Sequence, residues 1–217
     1  MTRLVGMFGG TFDPVHNAHL RVALDVVEAG DLERLHLIPC HVPPHRGDPD
    51  VTAEHRLAML KRAAAGEPRF LVDDRELQRD GPSYTVDTLR SLHADAAGVH
   101  LVLVVGTDSF LSLPRWHQWR ELVEWAHVVV LERPFAVGNM PSTLESWLQG
   151  RRAENWTELR EAPAGRVLFQ PVTPMAVSAT DVRARMRAGR SPRYLLPDPV
   201  WDYIREHGLY GAGRQVG

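Results

Sequence analysis

Gly9-Gly10-Thr11-Phe12-Asp13-Pro14-Val15-His16-Asn17-Ala18-His19 is the stretch from which the rest of the chain can be read. Before it, Arg3-Leu4-Val5-Gly6-Met7-Phe8 is short and apolar, which predicts a buried strand. After it, Leu20, Ala23, Leu24 and Val27 form the apolar face of a helix. The stretch is therefore a strand-to-helix turn. Two glycines let a backbone turn sharply and come close to a ligand. A helix start aims unpaired N–H groups and a positive dipole end at its neighbour, which suits phosphate. His16 and His19, three apart in a first helical turn, share a face. The same residues also read as a plain glycine turn with two surface histidines. A zinc pair has no Cys or acidic ligand at metal spacing. The G-x-G-x-x-G fingerprint of an ordinary dinucleotide site is missing.

Outward from this turn, strands and helices alternate. Leu35–Ile38, Phe70–Val72, Val99–Val105, Val128–Leu131 and Val167–Phe169 predict further strands. Helices are predicted at about 17–29, 53–65 with Thr52 as cap, 84–93, 116–126, 178–188 and 199–207. This alternation predicts an α/β fold with a Rossmann-like, doubly wound parallel sheet. Ligands in such sheets sit beyond the C-terminal strand ends, where strand order reverses. Residues 1–217 read as a single domain, with 135–165 an elaborated connection and 190–217 a small C-terminal helical appendage.

Composition sets the outer bounds. The chain has 217 residues, 44% hydrophobic and 24% charged, as in ordinary globular proteins. A net charge of -2 argues against general nucleic-acid binding. No apolar run reaches membrane-spanning length. The single cysteine, Cys40, excludes an internal disulfide framework and fits a reducing compartment. With no signal-peptide pattern at the N-terminus, a cytoplasmic location is expected.

GGTFDPVHNAHL resembles the G-x-F-x-P-x-H-x-G-H signature of the nucleotidyltransferases related to class I aminoacyl-tRNA synthetases, and most of all the bacterial nicotinate-nucleotide adenylyltransferases. Ala18 stands where that family usually has Gly. The resemblance recurs in order along the chain. Pro43-Pro44-His45-Arg46 is similar to P-P-H-K, with Arg46 keeping the charge and able to grip phosphate in a fork. Ser83-Tyr84-Thr85-Val86-Asp87-Thr88-Leu89 resembles S-Y-T-x-D-T-L. Gly106-Thr107-Asp108, followed by Leu113 and Trp116, resembles G-x-D-x-x-x-x-L-x-x-W. Arg133-Pro134 matches an R-P pair. Val177-Ser178-Ala179-Thr180-Asp181-Val182-Arg183 resembles I-S-S-T-x-I-R, with Ala179 replacing one Ser. Tyr194–Pro197 and Val200–Tyr210 match the C-terminal block and read as structural. Each block also has a plain reading. The 43–46 stretch is a rigid loop, Ser83 and Ser178 are helix caps, Gly106 to Ser109 is a glycine turn, and Trp116 is core packing, although Trp119 fits the core better.

The resemblance implies transfer of AMP from ATP to nicotinate mononucleotide, giving nicotinate adenine dinucleotide and pyrophosphate. It implies catalytic roles for His16, His19 and Arg46. Gly9, Gly10, Thr11, Phe12, Gly106, Asp108, Arg133, Ser178, Thr180 and Arg183 would hold ATP. His45, Thr85, Trp116 and His117 would hold the mononucleotide. Mg²⁺ would arrive on the ATP phosphates, with no metal ligand from the protein. Neither nucleic acid nor membrane is an expected partner. Another adenylyltransferase of the superfamily would share the first block but lack the Thr85 and Trp116 blocks in this form. A non-catalytic nucleotide sensor would be expected to have lost a histidine or the Arg183 helix start. A tRNA synthetase would need an anticodon-binding domain for which there is no room.

Overall fold

The computed structural model of the chain describes residues 2–41, 48–95, 98–132 and 140–212. In chain order they form β1 (Arg3–Gly10), α1 (Asn17–Gly30), β2 (Arg34–Pro39), α2 (Ala53–Ala64), β3 (Phe70–Val72), α3 (Thr85–Asp95), β4 (Val99–Gly106) and α4 (Thr107–Ser112). Two 3₁₀ turns, Leu113–Arg115 and Trp119–Glu121, lead into α5 (Leu122–Trp125) and β5 (His127–Glu132). Then come α6 (Ser142–Leu148), β6 (Arg152–Ala153), α7 (Glu158–Glu161), β7 (Val167–Pro171), α8 (Ala179–Arg187), α9 (Asp198–Glu206) and a closing 3₁₀ turn, Leu209–Gly211. Among the described residues the sheet has seven strands in the order β3-β2-β1-β4-β5-β7-β6. Every strand pairing is parallel. The order reverses between β1 and β4, so the crevice beyond their C-terminal ends is where a ligand would sit.

Alternation along the strands builds a core on each face of the sheet. In β4, Val102 and Val104 join one core while Leu101, Leu103 and Val105 join the other. In β5, Val129 and Leu131 face the first, and Val128 and Val130 the second. Helices α1, α2, α8 and α9 cover the first core through Val22, Val26, Met59, Leu60, Val182, Met186, Val200 and Ile204. Helices α3 to α6 cover the second through Val86, Leu89, Phe110, Leu122, Leu144 and Trp147. Each such side chain, once fully buried, contributes roughly 1.5–3 kcal/mol against the entropy of ordering it. Strands covered on both sides must be apolar at nearly every position, which is why β4 and β5 read as continuous runs.

Two stretches depart from expectation. The helix expected over 116–126 is two 3₁₀ turns followed by the short α5. Pro114 lies in the first of these turns, and Gln118 adopts a left-handed φ of 48° that divides the segment. Residues 140–165 hold the short α6 and α7, and the two-residue β6 extends the sheet by pairing Arg152 with Val167. Among the described residues no helix is long and apolar enough to cross a membrane.

Candidate active site

The signature turn is built differently from the sequence expectation. Gly9 and Gly10 do not make the turn. They are the last residues of β1 and pair with Ile38 and Pro39. The left-handed position is Phe12, at φ 49°. Gly10 instead serves close packing, since a Cβ there would come within 3.2 Å of the Phe12 ring. Phe12 was expected on the ATP site, yet its ring is 2% exposed and belongs to the core, packed against Phe8 and His19. Only its backbone is left to shape the turn.

His16 is the N-cap of α1 and is buried. Its ring stacks on that of His19 at 3.6 Å between centroids and 17° between planes. The His16 N–H donates to His19 Nδ1 at 3.2 Å. In a neutral His19 this acceptor role puts the ring proton on Nε2. The first N–H of α1 is not offered to a ligand. Asn17 gives it to the Leu195 carbonyl at 2.9 Å, and the Asn17 side-chain amide donates to the Tyr194 carbonyl at 2.9 Å.

Beside this turn, at the strand reversal, opens a cleft of about 570 Å³. Gly9, Gly10 and Thr11 form one wall, and Gly106 with the start of α4 forms another. Thr85, which opens α3, also lines it, with Trp116 and His117. Tyr84 stacks on His117 at 4.3 Å. Trp116 is half-buried and its Nε1–H donates to Ser112 Oγ at 3.3 Å, whereas Trp119 lies inside the core. Trp116 thus keeps part of its ring in the cleft. The cleft therefore pairs a glycine-rich backbone wall that can approach phosphate with an aromatic pocket that can take a flat ring.

Other expected site residues, His16 and His19 among them, lie outside the cleft lining. Asp108 is exposed in the first turn of α4, and Ser178 and Thr180 are exposed at the start of α8. Ser178 Oγ accepts the Asp181 N–H at 3.1 Å and donates to its carboxylate at 2.7 Å, a helix cap. Arg183 donates to the Asp13 carbonyl at 2.7 Å and pairs with Asp50. It braces the signature turn in this arrangement. His45, Arg46 and Arg133 lie outside the described residues.

Sequence reading missed two residues. Arg56 is 1% exposed and donates to the carbonyls of Thr11 at 2.8 Å and His41 at 3.3 Å. Its signal was present, because Arg56 shares the buried face of α2 with Met59 and Leu60. Glu76 is buried in the cleft wall and accepts the Thr88 hydroxyl at 2.7 Å. Burial pushes its carboxyl above the usual range. It sits in the charged run Asp73-Asp74-Arg75-Glu76, where composition suggests only a solvated loop. Burial likewise raises the Cys40 thiol, which disfavours a thiolate nucleophile.

Residues 7–185 match the model of the cytidylyltransferase-like family. A chain of Halorhodospira halophila named "Probable nicotinate-nucleotide adenylyltransferase" is 52% identical over 209 residues, 96% of each chain. A chain of the same name from Pseudomonas aeruginosa is 48% identical over 213 residues, 98% of this chain and 99% of that one. The structure of Plasmodium falciparum nicotinic acid mononucleotide adenylyltransferase complexed with NaAD shares the fold. Its TM-score is 0.74 at 15% identity, over 98% of this chain and 100% of that one.

Proposed function

The chain belongs to the cytidylyltransferase-like family, among the nicotinate-nucleotide adenylyltransferases, and from that premise we propose how its cleft works. The enzyme transfers AMP from ATP to nicotinate mononucleotide, forming nicotinate adenine dinucleotide and pyrophosphate in NAD biosynthesis. The observation that carries the reading is the cleft at the β1–β4 reversal, lined both by a glycine-rich backbone and by aromatic rings. A phosphate oxygen of the mononucleotide attacks the α-phosphorus of ATP, and the bond to pyrophosphate breaks. That oxygen is already ionised at neutral pH, so no general base is required. Catalysis is then positioning plus neutralisation of charge.

We assign His16 and His19 to the α- and β-phosphates. Their stacked placement at the start of α1 supports this. Gly9, Gly10, Thr11, Gly106 and Asp108 would bind the adenosine half, and Thr85, Trp116 and His117 the nicotinate ring. Arg133 would line the nucleotide site, and Arg46, Ser178, Thr180 and Arg183 would hold the outer phosphates. In that role Arg183 would exchange Asp50 for phosphate, both being anions that suit its fork. Among the described residues no group of three His, Cys, Asp or Glu is placed to hold a metal. We propose that Mg²⁺ would arrive on the ATP phosphates and neutralise charge as pyrophosphate leaves. We treat residues 1–217 as one catalytic unit acting in a reducing compartment, which the single cysteine fits.

The start of α3 favours the acid over the amide. First-turn N–H groups have no partner within their own helix. A carboxylate accepts at both oxygens and is favoured by the dipole, whereas an amide turns its NH₂ toward another donor. A site built for one pattern rejects the other strongly. The test is kcat/KM for nicotinate and nicotinamide mononucleotides at saturating ATP and Mg²⁺. A ratio well above ten for the acid is expected. A ratio near one, or one favouring the amide, would reassign the enzyme to nicotinamide mononucleotide.

A further inference from the structure

We propose that Tyr210, in the closing 3₁₀ turn, is a positioning residue for the histidine turn and acts through Asp13. The inference rests on the reaction assigned above. Asp13 lies three residues before His16, inside the signature turn, and is 5% exposed. A carboxylate so deeply buried must have hydrogen-bond partners. Its partners come from distant parts of the chain. The Tyr210 hydroxyl donates to Asp13 Oδ1 at 2.7 Å, and the Asp50 N–H donates to Asp13 Oδ2 at 2.8 Å. Arg183 holds the Asp13 carbonyl at 2.7 Å, with its guanidinium 3.8 Å from the carboxylate.

Tyr210 reaches this point from a strained backbone, at φ 55°. A bulky residue in the left-handed region needs its surroundings to hold it there. The buried phenol bonded to a carboxylate supplies that hold, since a charge-assisted hydrogen bond is among the stronger ones. The C-terminal segment grips the turn a second time, where the Tyr194 and Leu195 carbonyls bind Asn17. His16 stands between these two anchor points. Donors to a transition state must be held to a fraction of an ångström to be effective. The geometry therefore gives the last described turn of the chain a part in aligning the imidazoles, beyond covering the core.

The experiment compares wild type, Tyr210→Phe, Asp13→Asn and the double variant. Steady-state constants are measured for both substrates, with thermal midpoints and the ¹⁵N ring signals of His16 and His19 in the ligand-free protein. Phe keeps the ring and removes only the hydroxyl. Tyr210→Phe should stay folded, lose roughly tenfold in kcat and shift the histidine ring signals. Its KM for nicotinate mononucleotide should stay within about twofold, because none of the Asp13 partners lines the Thr85–Trp116 pocket. Adding Tyr210→Phe to Asp13→Asn should cost little more, since both break one link. Unchanged kcat with unchanged ring signals would overturn the proposal. So would a loss fully restored by assaying below a lowered thermal midpoint, or losses that multiply in the double variant. If Tyr210→Phe does not fold, Asp13→Asn alone must show the same split between kcat and KM, and its absence overturns the proposal. A wild-type enzyme that makes no dinucleotide would overturn the assigned reaction instead, while the ring signals still test Tyr210.

Discussion

His19 accepts the His16 N–H at Nδ1 and, in its neutral form, carries its proton at Nε2. One imidazole thus closes the helix start. Its stacking on His16 fixes the ring plane. Losing a preorganised donor to a transition-state charge typically costs about 10²–10³ in rate. His19→Ala is expected to lose that much kcat and keep its fold, as checked by steady-state kinetics beside circular dichroism. Turnover within a few-fold of wild type would remove His19 from the chemistry. Trp116 is a different case, because its half-exposed ring lines the cleft while Trp119 fills the core. Stacking on a base-like ring is worth roughly 1–3 kcal/mol. Trp116→Ala should therefore raise KM for the mononucleotide about 5- to 150-fold with little change in KM for ATP. Equal effects on both substrates would return Trp116 to a packing role.

Arg56 shows how elements are tied together beneath the site. It rises from the buried face of α2 and donates to carbonyls just beyond the ends of β1 and β2. A fork can span two strand ends, which an ammonium cannot do in the same way. Hydrogen bonds from charged groups contribute about 1.5–3 kcal/mol each, and losing both leaves two carbonyls unmatched. Arg56→Met should destabilise the protein by about 3 kcal/mol, with Arg56→Lys in between, as read from urea midpoints. Equal midpoints for all three would make the contact incidental. Elements like β4 were legible in the sequence because a strand buried on both faces leaves a continuous apolar run. The two-residue β6 left no such trace, and a left-handed Gln118 has no local signature that separates two turns from one helix. In the turn itself, glycines announced a close approach, but the bend fell at Phe12 because the glycines stayed in the β1 ladder. The Thr85 and Trp116 blocks were visible as helix starts and flat rings. Glu76 was not, since nothing in a charged run tells which carboxylate the fold will bury.

At the scale of the whole molecule, the sheet with its two cores buries polar groups that periodicity cannot distinguish from their apolar neighbours, and His127 is the clearest. It opens β5 and is fully buried. Its Nε2–H donates to the Ala162 carbonyl at 2.9 Å, and its Nδ1 accepts the Arg166 N–H at 3.1 Å. The neutral ring satisfies both contacts, and a proton on Nδ1 would set donor against donor. Burial, with His100 and Arg166 nearby, holds its pKa at about 4 against an ordinary 6.5. Between those values the unfolded chain binds more protons than the folded one. Stability is therefore fully present above pH 6.5 and falls as pH drops toward 4, by about 3 kcal/mol at most. Asp73 acts in a lower window. Burial pushes its carboxyl up, but hydrogen bonds from His36 and Arg75 outweigh that and hold it at about 2 against 3.8. Its contribution is present above pH 3.8 and is lost as pH falls through 2. Urea midpoints of wild type between pH 7.5 and 3 should decline in the first window and again in the second. His127→Asn, which can still donate and accept, should flatten the decline between pH 6.5 and 4 and leave the lower one unchanged. If the variant declines in parallel with wild type across the upper window, the acid sensitivity resides in other groups and the buried imidazole is protonated at no cost.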